Sequence, residues 1–440
     1  MRKIIIIVLA LAVVSGFLFW KFAPNFFAKP QEESKQITLN ILGLWDEDNI
    51  LKPSFEAYKK AHPNITLNYS FTSSKNYLSR VQTRVDQAQD LDIFMMHNSW
   101  LPVLLKSNSL SPMSQSVMSI ADYKKDFYPV VSQTLAKDGK VYAIPRGVDG
   151  LALYYNEELL RNGGVKVIPQ NWQQFIETAT RLTVIGQDGK MTTAGAALGT
   201  ASNVDHWSDI LGLLFYQNPG ADLENPANSA GAEVVKFYTN FVTQPSQKTW
   251  DLNMESSTQA FASGKLAFYI APSWRAFELR QINPELKFKT APVPQLPGRN
   301  VGWGTFWAYS VARTSKNPDA AWEFLKFFTS KETQKLLYQE ASKIRLFGLP
   351  YSRIELQKEL ADDPVVGSFV NQAPVYKSWY LSSNTFDNPG INDAIIKYYE
   401  DAINAVLQGA EPISALETTQ QGVKQVLNQY NPNAPAEPSP

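Results

Sequence analysis

Apolar and polar residues alternate from residue 37 to residue 41, and this period of two predicts a half-buried strand. From Asn49 the apolar residues recur every three or four positions, which predicts a helix that ends before Pro63. Two more strands are predicted at residues 65–69 and 91–96, with a second helix between them. Strands and helices that alternate with short connections predict a parallel sheet covered by helices on both faces.

The same alternation of patterns continues through the rest of the chain. A tight turn is predicted at Asp138-Gly139, and strands are predicted at 151–155, 265–270 and 308–311. Two helices are predicted to begin near Asn171 and Asn317, and a third is predicted to cover residues 391–407. Asn317 can cap its helix, and Pro318 suits the first helical position. The chain as a whole is therefore predicted to be an α/β protein.

The amino terminus predicts the compartment of the protein. An apolar run at residues 4–20 lies between positively charged residues, and no convincing cleavage site follows it. We therefore expect residues 1–21 to be an uncleaved membrane anchor, the alternative being a cleaved signal, with the remainder outside the cytoplasm. Residues 22–36 are predicted to be a tether, and the proline-rich residues 431–440 a disordered tail.

Length and composition narrow the class of protein. A chain of 440 residues predicts two or three domains. Its 41 basic and 41 acidic residues give no net charge, so the basic surplus typical of nucleic-acid binding is missing. The absence of cysteine excludes disulfides, thiolate metal sites and lipid attachment through cysteine. The 11 tryptophans, 19 tyrosines and 24 phenylalanines are the most distinctive part of the composition.

Indole rings and polar side chains recur together where predicted strands end. These groups are Trp45 with Asp46, Asn98 with Trp100, and Trp274 with Arg275. Ligands of open parallel sheets bind beyond the carboxyl ends of the strands, so the groups are candidates for one binding site. A tryptophan at such a position can equally be a cap over the core, and that alternative stays open for each one.

Sequence motifs of catalysis were not found. The three histidines, His62, His97 and His206, have no metal-ligand spacing among them, and there is no nucleophile elbow or phosphate-binding loop. With 41 acidic residues, no particular pair is marked as the carboxylates of a glycosidase. We therefore expect neither enzyme activity nor a cofactor.

Several segments, in their order and spacing, resemble one protein family. They are DGKVYAIPRGVDGLALYYN at 138–156, FASGKLAFYIAPSWR at 261–275, APVPQLPGRNVGWG at 291–304 and SKNPDAAWEFLKFF at 315–328. Residues 37–430 resemble the extracellular solute-binding proteins of ABC importers, in the family of maltose and multiple-sugar binders. The resemblance implies a type II periplasmic-binding-protein-like fold, whose two lobes close over a ligand.

The resemblance also implies how the chain is divided. A hinge crossed three times would join lobe one, residues 37–147 and 292–342, to lobe two, residues 148–291 and 343–430. The implied partners are a carbohydrate ligand and the ABC permease subunits in the membrane, and the protein itself is expected to be monomeric.

With this division into two lobes, the candidate residues are expected to face one cleft. Lobe one contributes Trp45, Asp46, Asn98 and Trp100, and lobe two contributes Trp274 and Arg275. Arg146 and Asp149 lie at the first crossing, and Trp303 lies in the loop after the second crossing. Sugar rings have apolar faces that lie on indoles, and their hydroxyls need Asp, Asn or Arg partners. The candidate set therefore predicts a sugar site, although Asp149 can equally be a structural residue of the hinge.

Two other functions remain open. A ferric-ion binder of related fold would use paired tyrosines such as Tyr154-Tyr155, but consecutive strand residues point to opposite faces, so packing within the strand is favoured. A surface sensor or adhesin would keep the same fold without any transporter.

Overall fold

The computed structural model of the protein describes residues 35–387 and 390–430. Its strands are β1 (Ile37–Gly43), β2 (Ile65–Phe71), β3 (Ile93–His97), β4 (Leu110–Ser111), β5 (Ala136–Lys137), β6 (Lys140–Val141), β7 (Ala152–Asn156), β8 (Val184–Ile185), β9 (Met191–Ala196), β10 (Leu266–Ala271), β11 (Phe288–Ala291), β12 (Gly302–Trp303), β13 (Trp307–Ala312) and β14 (Tyr376–Lys377).

The α-helices follow the same chain order. They are α1 (Asp48–Ala61), α2 (Tyr77–Asp86), α3 (Leu101–Lys106), α4 (Ile120–Asp126), α5 (Pro129–Leu135), α6 (Glu157–Asn162), α7 (Trp172–Leu182), α8 (Trp207–Gln217), α9 (Ser229–Thr243), α10 (Ser257–Ala262), α11 (Arg275–Ile282), α12 (Pro318–Phe328), α13 (Lys331–Ser342), α14 (Gln357–Leu360), α15 (Gly367–Gln372), α16 (Ile391–Leu407) and α17 (Pro412–Gln429).

Three of the predictions concern segments at the two ends of the chain. The anchor at residues 1–21, most of the tether and the tail at residues 431–440 lie outside the described residues. Within the described ranges, every helix is too short or too polar to cross a lipid bilayer.

The first sheet has the strand order β2-β1-β3-β13-β4. The predicted parallel pairing is confirmed for its first three strands, since β1 runs parallel to both β2 and β3. The sheet also contains β13, whose direction was not predicted and which pairs antiparallel with β3 and β4. The chain returns from the second sheet at the carboxyl edge of β3, where Trp307 pairs with His97, so β13 runs in the opposite direction.

The second sheet has the order β11-β7-β10-β9-β8, and it is also mixed. Among its neighbouring strands only β9 and β10 run parallel, since β7 pairs antiparallel with both β10 and β11, and β8 pairs antiparallel with β9. Helix α7 packs on β9 and β10, where Phe175 and Phe268 have ring centres 5.3 Å apart. Two sheets with separate helical covers give the molecule two α/β lobes.

The chain passes between the two lobes three times. The first passage lies between Ile144, which bridges to Tyr309 in the first sheet, and the start of β7. The second joins β11 to β13. The third follows α13, which packs on α1, and leads to α15, which packs on β11. The exact lobe boundaries given above remain a prediction.

Local signals in the sequence account for several element ends. Asp138 and Gly139 have φ angles of 52° and 74° and form the two-residue turn between β5 and β6, as this pair favours. The Asn171 side chain accepts from the N–H of Gln174 and caps α7. Asn317, by contrast, makes no cap bond, because its ψ of 55° is not the extended conformation of a capping residue.

Candidate ligand-binding site

The first lobe presents an exposed indole beyond β1. Trp45 is 44% exposed. Its ring meets Trp307 edge to face, with ring centres 5.1 Å apart, and Phe386 at 6.3 Å. These neighbours fix the orientation of the indole and leave part of it in contact with solvent. An apolar face of a ligand can pack on such a surface.

The second lobe presents a similar group beyond β10. Trp274 is 37% exposed, and the Arg275 guanidinium carbon lies 4.3 Å from its ring centre. Nε of Arg275 donates to Nε2 of His206 at 2.8 Å. Because a guanidinium only donates, this imidazole nitrogen carries no proton and the ring is neutral. Burial lowers the pKa of His206, in agreement with a neutral ring.

One loop, Leu381–Asp387, contacts both of these aromatic groups. Oγ of Ser383 lies 3.0 Å from Nδ1 of His206, in the group around Trp274. Three residues later, the ring of Phe386 packs against Trp45. Three residues of chain span at most about 11 Å. The loop therefore brings the exposed aromatic surfaces of the two lobes to a common region.

A buried carboxylate holds this loop in place. Asp209 on α8 accepts from Nε1 of Trp303 at 2.9 Å and from the N–H of Ser383 at 3.1 Å. Its Oδ2 also lies 3.6 Å from Nδ1 of His206. Asp209 thus positions the loop and the His206 ring, and through that ring it orients Arg275.

Two of the candidate tryptophans are core residues. Trp100 and Trp303 have no exposed surface. Trp100 closes a 3₁₀ turn after β3, which places its ring beside Trp307 with centres 5.0 Å apart, and Trp303 packs on Gly212 of α8. The ligand contact predicted for them does not fit this burial. For Trp100, the alternative of a cap over the core describes the structure.

The side chain of Asn98 also forms its hydrogen bonds within the protein. Its Nδ2 donates to Oγ of Ser378 at 2.8 Å, and its Oδ1 accepts from the N–H of Phe306 at 3.0 Å. The side chain is 1% exposed. The predicted ligand contact of Asn98 therefore does not fit its position, where it links the end of β3 to the segment before the Leu381–Asp387 loop.

Asp46 and Arg146 form a buried ion pair. The Asp46 carboxylate is bonded to Nη2 of Arg146 and accepts from the Tyr309 hydroxyl at 3.0 Å. The Tyr69 hydroxyl donates to the main-chain oxygen of Asp46 at 2.9 Å. Because the two side chains are paired inside the lobe and are only 5% (Arg146) and 3% (Asp46) exposed, the ligand contacts predicted for them do not fit. The pair instead anchors the chain immediately after Trp45.

Asp149 fits the structural alternative given for it. Its carboxylate accepts from the N–H and the hydroxyl of Ser273, the hydroxyl at 2.7 Å, and from the N–H of Gly150. Burial raises the pKa of Asp149 to about 6, although these hydrogen bonds act in the opposite direction. The side chain therefore fixes the strand exit that carries Trp274.

The tyrosine pair has no shared site. The Tyr154 hydroxyl donates to the carbonyl oxygens of Pro272 and Ser273 inside the lobe, whereas Tyr155 lies on the other face of β7 near Lys289. Among the described residues, no cluster of three or more His, Asp or Glu side chains is arranged to hold a metal ion.

Five residues of the site were not predicted from the sequence. The missed residues are Trp307, His206, Asp209, Ser383 and Phe386. Trp307 stands at the start of a predicted strand, so the rule that marked Trp45, which looks for indoles at strand ends, does not find it. The other four gave no local signal, because only the tertiary fold brings α8 and the Leu381–Asp387 loop together.

Replacing His97 with glutamine is expected to make the fold less sensitive to acid. Burial lowers the pKa of His97 to about 3, whereas an unfolded histidine titrates near 6.5. Below about pH 6.5 the unfolded chain takes up a proton that the native chain refuses, so native stability falls. The wild type should lose about 2 kcal/mol more than His97→Gln between pH 7 and pH 5 in denaturant titrations.

The matched control for this prediction is His62→Gln. His62 is exposed at the end of α1, so its replacement should leave the pH dependence of the wild type unchanged. Equal losses of stability in the wild type and His97→Gln would contradict the prediction.

The two α/β lobes and the exposed indoles at their strand exits define a two-lobe ligand-binding protein. The chain belongs to the bacterial extracellular solute-binding protein family, whose model matches residues 45–335. This match confirms the family to which the sequence motifs pointed.

The relatives of the chain are distant in sequence, and the fold is shared with a solved structure. A maltooligosaccharide ABC transporter solute-binding lipoprotein of Streptococcus pneumoniae (strain ATCC BAA-255 / R6) is 26% identical over 272 residues, which is 59% of this chain and 62% of that protein. A maltotriose-binding protein of Pyrococcus abyssi (strain GE5 / Orsay) is 21% identical over 337 residues, 74% of this chain and 68% of that protein. The structure of the sugar-binding protein MalE from Xanthomonas citri superposes with a TM-score of 0.72 at 20% identity, covering 89% and 98% of the two chains.

Proposed function

We propose that the protein captures an oligosaccharide between its two lobes and delivers it to an ABC permease. The observation that carries this proposal is the pair of exposed indoles, Trp45 and Trp274, on opposite lobes and joined through one loop. Indole faces suit the apolar faces of sugar rings, and Arg275 beside Trp274 suits their hydroxyls. The sugar-binding names of the relatives support the same class of ligand.

Binding would be coupled to closure of the lobes. A ligand that touches both lobes stabilises the closed form by its higher affinity for that form. The polypeptide would hinge near residues 147–148, 290–293 and 342–346, with lobe one made of 37–147 and 292–342. The protein would act as a monomer and without catalysis, since binding and release alone are required of it.

A location outside the cytoplasm fits the family, and the tether is a separate proposal. Residues 4–20 would hold the protein at the outer face of the cytoplasmic membrane. Membrane fractionation, with the mass of the mature amino terminus, tests this. Recovery of a chain in the soluble fraction that begins after residue 21 would contradict it.

A thermal-shift screen of the purified protein tests the substrate class. Linear oligosaccharides of two to four sugars should raise the unfolding temperature by several degrees at millimolar concentration, because a ligand that binds only the native state stabilises it. Peptides and polyamines are the matched comparison set. A clear response to these and none to any sugar would contradict the proposal.

A further inference from the structure

Two of the three nitrogens of the Arg275 guanidinium are already bonded within the protein. Nε donates to Nε2 of His206 at 2.8 Å, and Nη1 is paired with the carboxylate of Glu278, one turn further along α11. The guanidinium also lies over the Trp274 ring, with its carbon 4.3 Å from the ring centre. Among the described residues Nη2 has no such bond, so it is the nitrogen that a ligand on Trp274 can use.

These bonds restrict how Arg275 can bind a carboxylate. A carboxylate is held most strongly by two parallel N–H bonds, either from Nε and Nη2 or from Nη1 and Nη2. The single hydrogen of Nε is used by His206, which closes the first arrangement. The second arrangement requires the ligand to share Nη1 with the Glu278 carboxylate. A sugar hydroxyl needs only one donor, so it can accept from Nη2 alone.

The charge around Arg275 also disfavours an acidic ligand. Besides Glu278, two further carboxylates lie close to the guanidinium. Asp209 is 3.6 Å from Nδ1 of the neutral His206 ring. Burial acts to raise the pKa of Asp205, but hydrogen bonds and the charge of Arg275 lower it overall, so this carboxylate is ionised at neutral pH. One guanidinium therefore stands among three carboxylates, and a fourth carboxylate on the ligand would be repelled.

The other two arginines at α11 are directed elsewhere. Arg345 lies over Phe277, 5.0 Å from its ring centre, and residues two apart do not share a helix face, so it is on a different side of α11 from Arg275. Arg280 donates to two main-chain oxygens beyond the end of the helix. Neither arginine is placed to offset the negative charge around Trp274.

We propose that Glu278 makes the Trp274 position of the site selective for neutral sugars over acidic sugars, because it occupies the nitrogen of Arg275 that a uronate carboxylate would need. This inference rests on the proposed oligosaccharide function and adds to it the class of sugar that is rejected. Glu278 also lies in the first turn of α11, where an acidic residue stabilises a helix. A purely structural role of that kind would not change which sugar binds, so selectivity is the property to measure.

Titration calorimetry with matched neutral and acidic sugars tests the selectivity. The probes are maltotriose, mannotriose and the best further sugar from the thermal-shift screen, each compared with the uronate made by oxidising its C6 hydroxyls. For the wild type we expect a neutral sugar to bind at least about tenfold more tightly than its uronate. In Glu278→Gln, which keeps the size of the side chain and removes its charge, this ratio should fall at least about fivefold. Glu285→Gln removes an exposed acidic charge beyond the end of α11 and should keep the wild-type ratio.

The outcomes separate this inference from the proposed function. A uronate that binds the wild type as tightly as its neutral counterpart, or more tightly, would overturn the selectivity and leave oligosaccharide capture in place. An unchanged ratio in Glu278→Gln would do the same. Absence of binding by any sugar, neutral or acidic, would overturn the proposed function and this inference with it.

Crystals soaked in acetate test the role of Glu278 without any sugar, because acetate supplies a carboxylate alone. In Glu278→Gln we expect acetate density within hydrogen-bond contact of Nη1 and Nη2 of Arg275, and in the wild type we expect none there. Acetate on Arg275 in the wild type, or an empty position in the variant, would overturn the inference, whatever the sugar titrations say of the proposed function.

Discussion

Replacing Arg146 with methionine is expected to lower the free energy of unfolding by about 3–5 kcal/mol. The substitution leaves the Asp46 carboxylate buried with only the Tyr309 hydroxyl as its side-chain partner. A carboxylate without its counter-ion is strongly disfavoured in the interior. Chemical denaturation monitored by circular dichroism measures the change.

Two further variants test whether the loss of stability comes from the buried ion pair or from the removal of a charge in general. Arg161→Met breaks an exposed pair with Glu158, whose atoms are 3.9 Å apart, and should cost at most about 1 kcal/mol. Adding Asp46→Asn to Arg146→Met should restore about 1–2 kcal/mol, because the uncompensated charge is gone. A loss in Arg146→Met no larger than that in Arg161→Met would contradict this account of the pair.

Replacing Trp274 with alanine is expected to weaken oligosaccharide binding about tenfold or more while the protein stays folded. Trp274 is exposed beside Arg275, so removal of its ring deletes ligand contact and little internal packing. A lost stacking surface of about 1.4 kcal/mol corresponds to a factor of ten. Titration calorimetry with the best sugar from the screen measures the affinity, and Trp45→Ala should behave in the same way.

Controls for this prediction come from the same lobe. Trp274→Phe keeps an aromatic face and should lose less affinity than Trp274→Ala. Ile185→Ala truncates another exposed apolar side chain, on the edge strand β8, and should bind like the wild type. Unchanged affinity in both Trp274→Ala and Trp45→Ala would remove the indoles from the binding site.

Local patterns were enough to predict several of the helices and strands. The strand over residues 37–43, the hairpin turn at Asp138-Gly139 and helix α16 are formed by short-range signals, and each is found where it was predicted. The direction of β13 was not predictable from its own residues. It depends on where the chain returns from the second lobe, which is a property of the whole topology.

The candidate site was predictable only in part, because burial depends on tertiary packing. Trp45 and Trp100 both follow strands of one sheet, yet only Trp45 is exposed. The 3₁₀ turn after β3 brings Trp100 back to the core, and no local pattern marks that turn. Polar candidates such as Asp46 are likewise bonded to residues far away in sequence and are buried inside the lobe.

A crystal structure of the protein with its best oligosaccharide tests the central claim most directly. The account predicts that the sugar lies between the lobes, with ring faces against Trp45 and Trp274 and hydroxyls in contact with Arg275. A sugar bound elsewhere on the surface, with both indoles still in solvent, would contradict it.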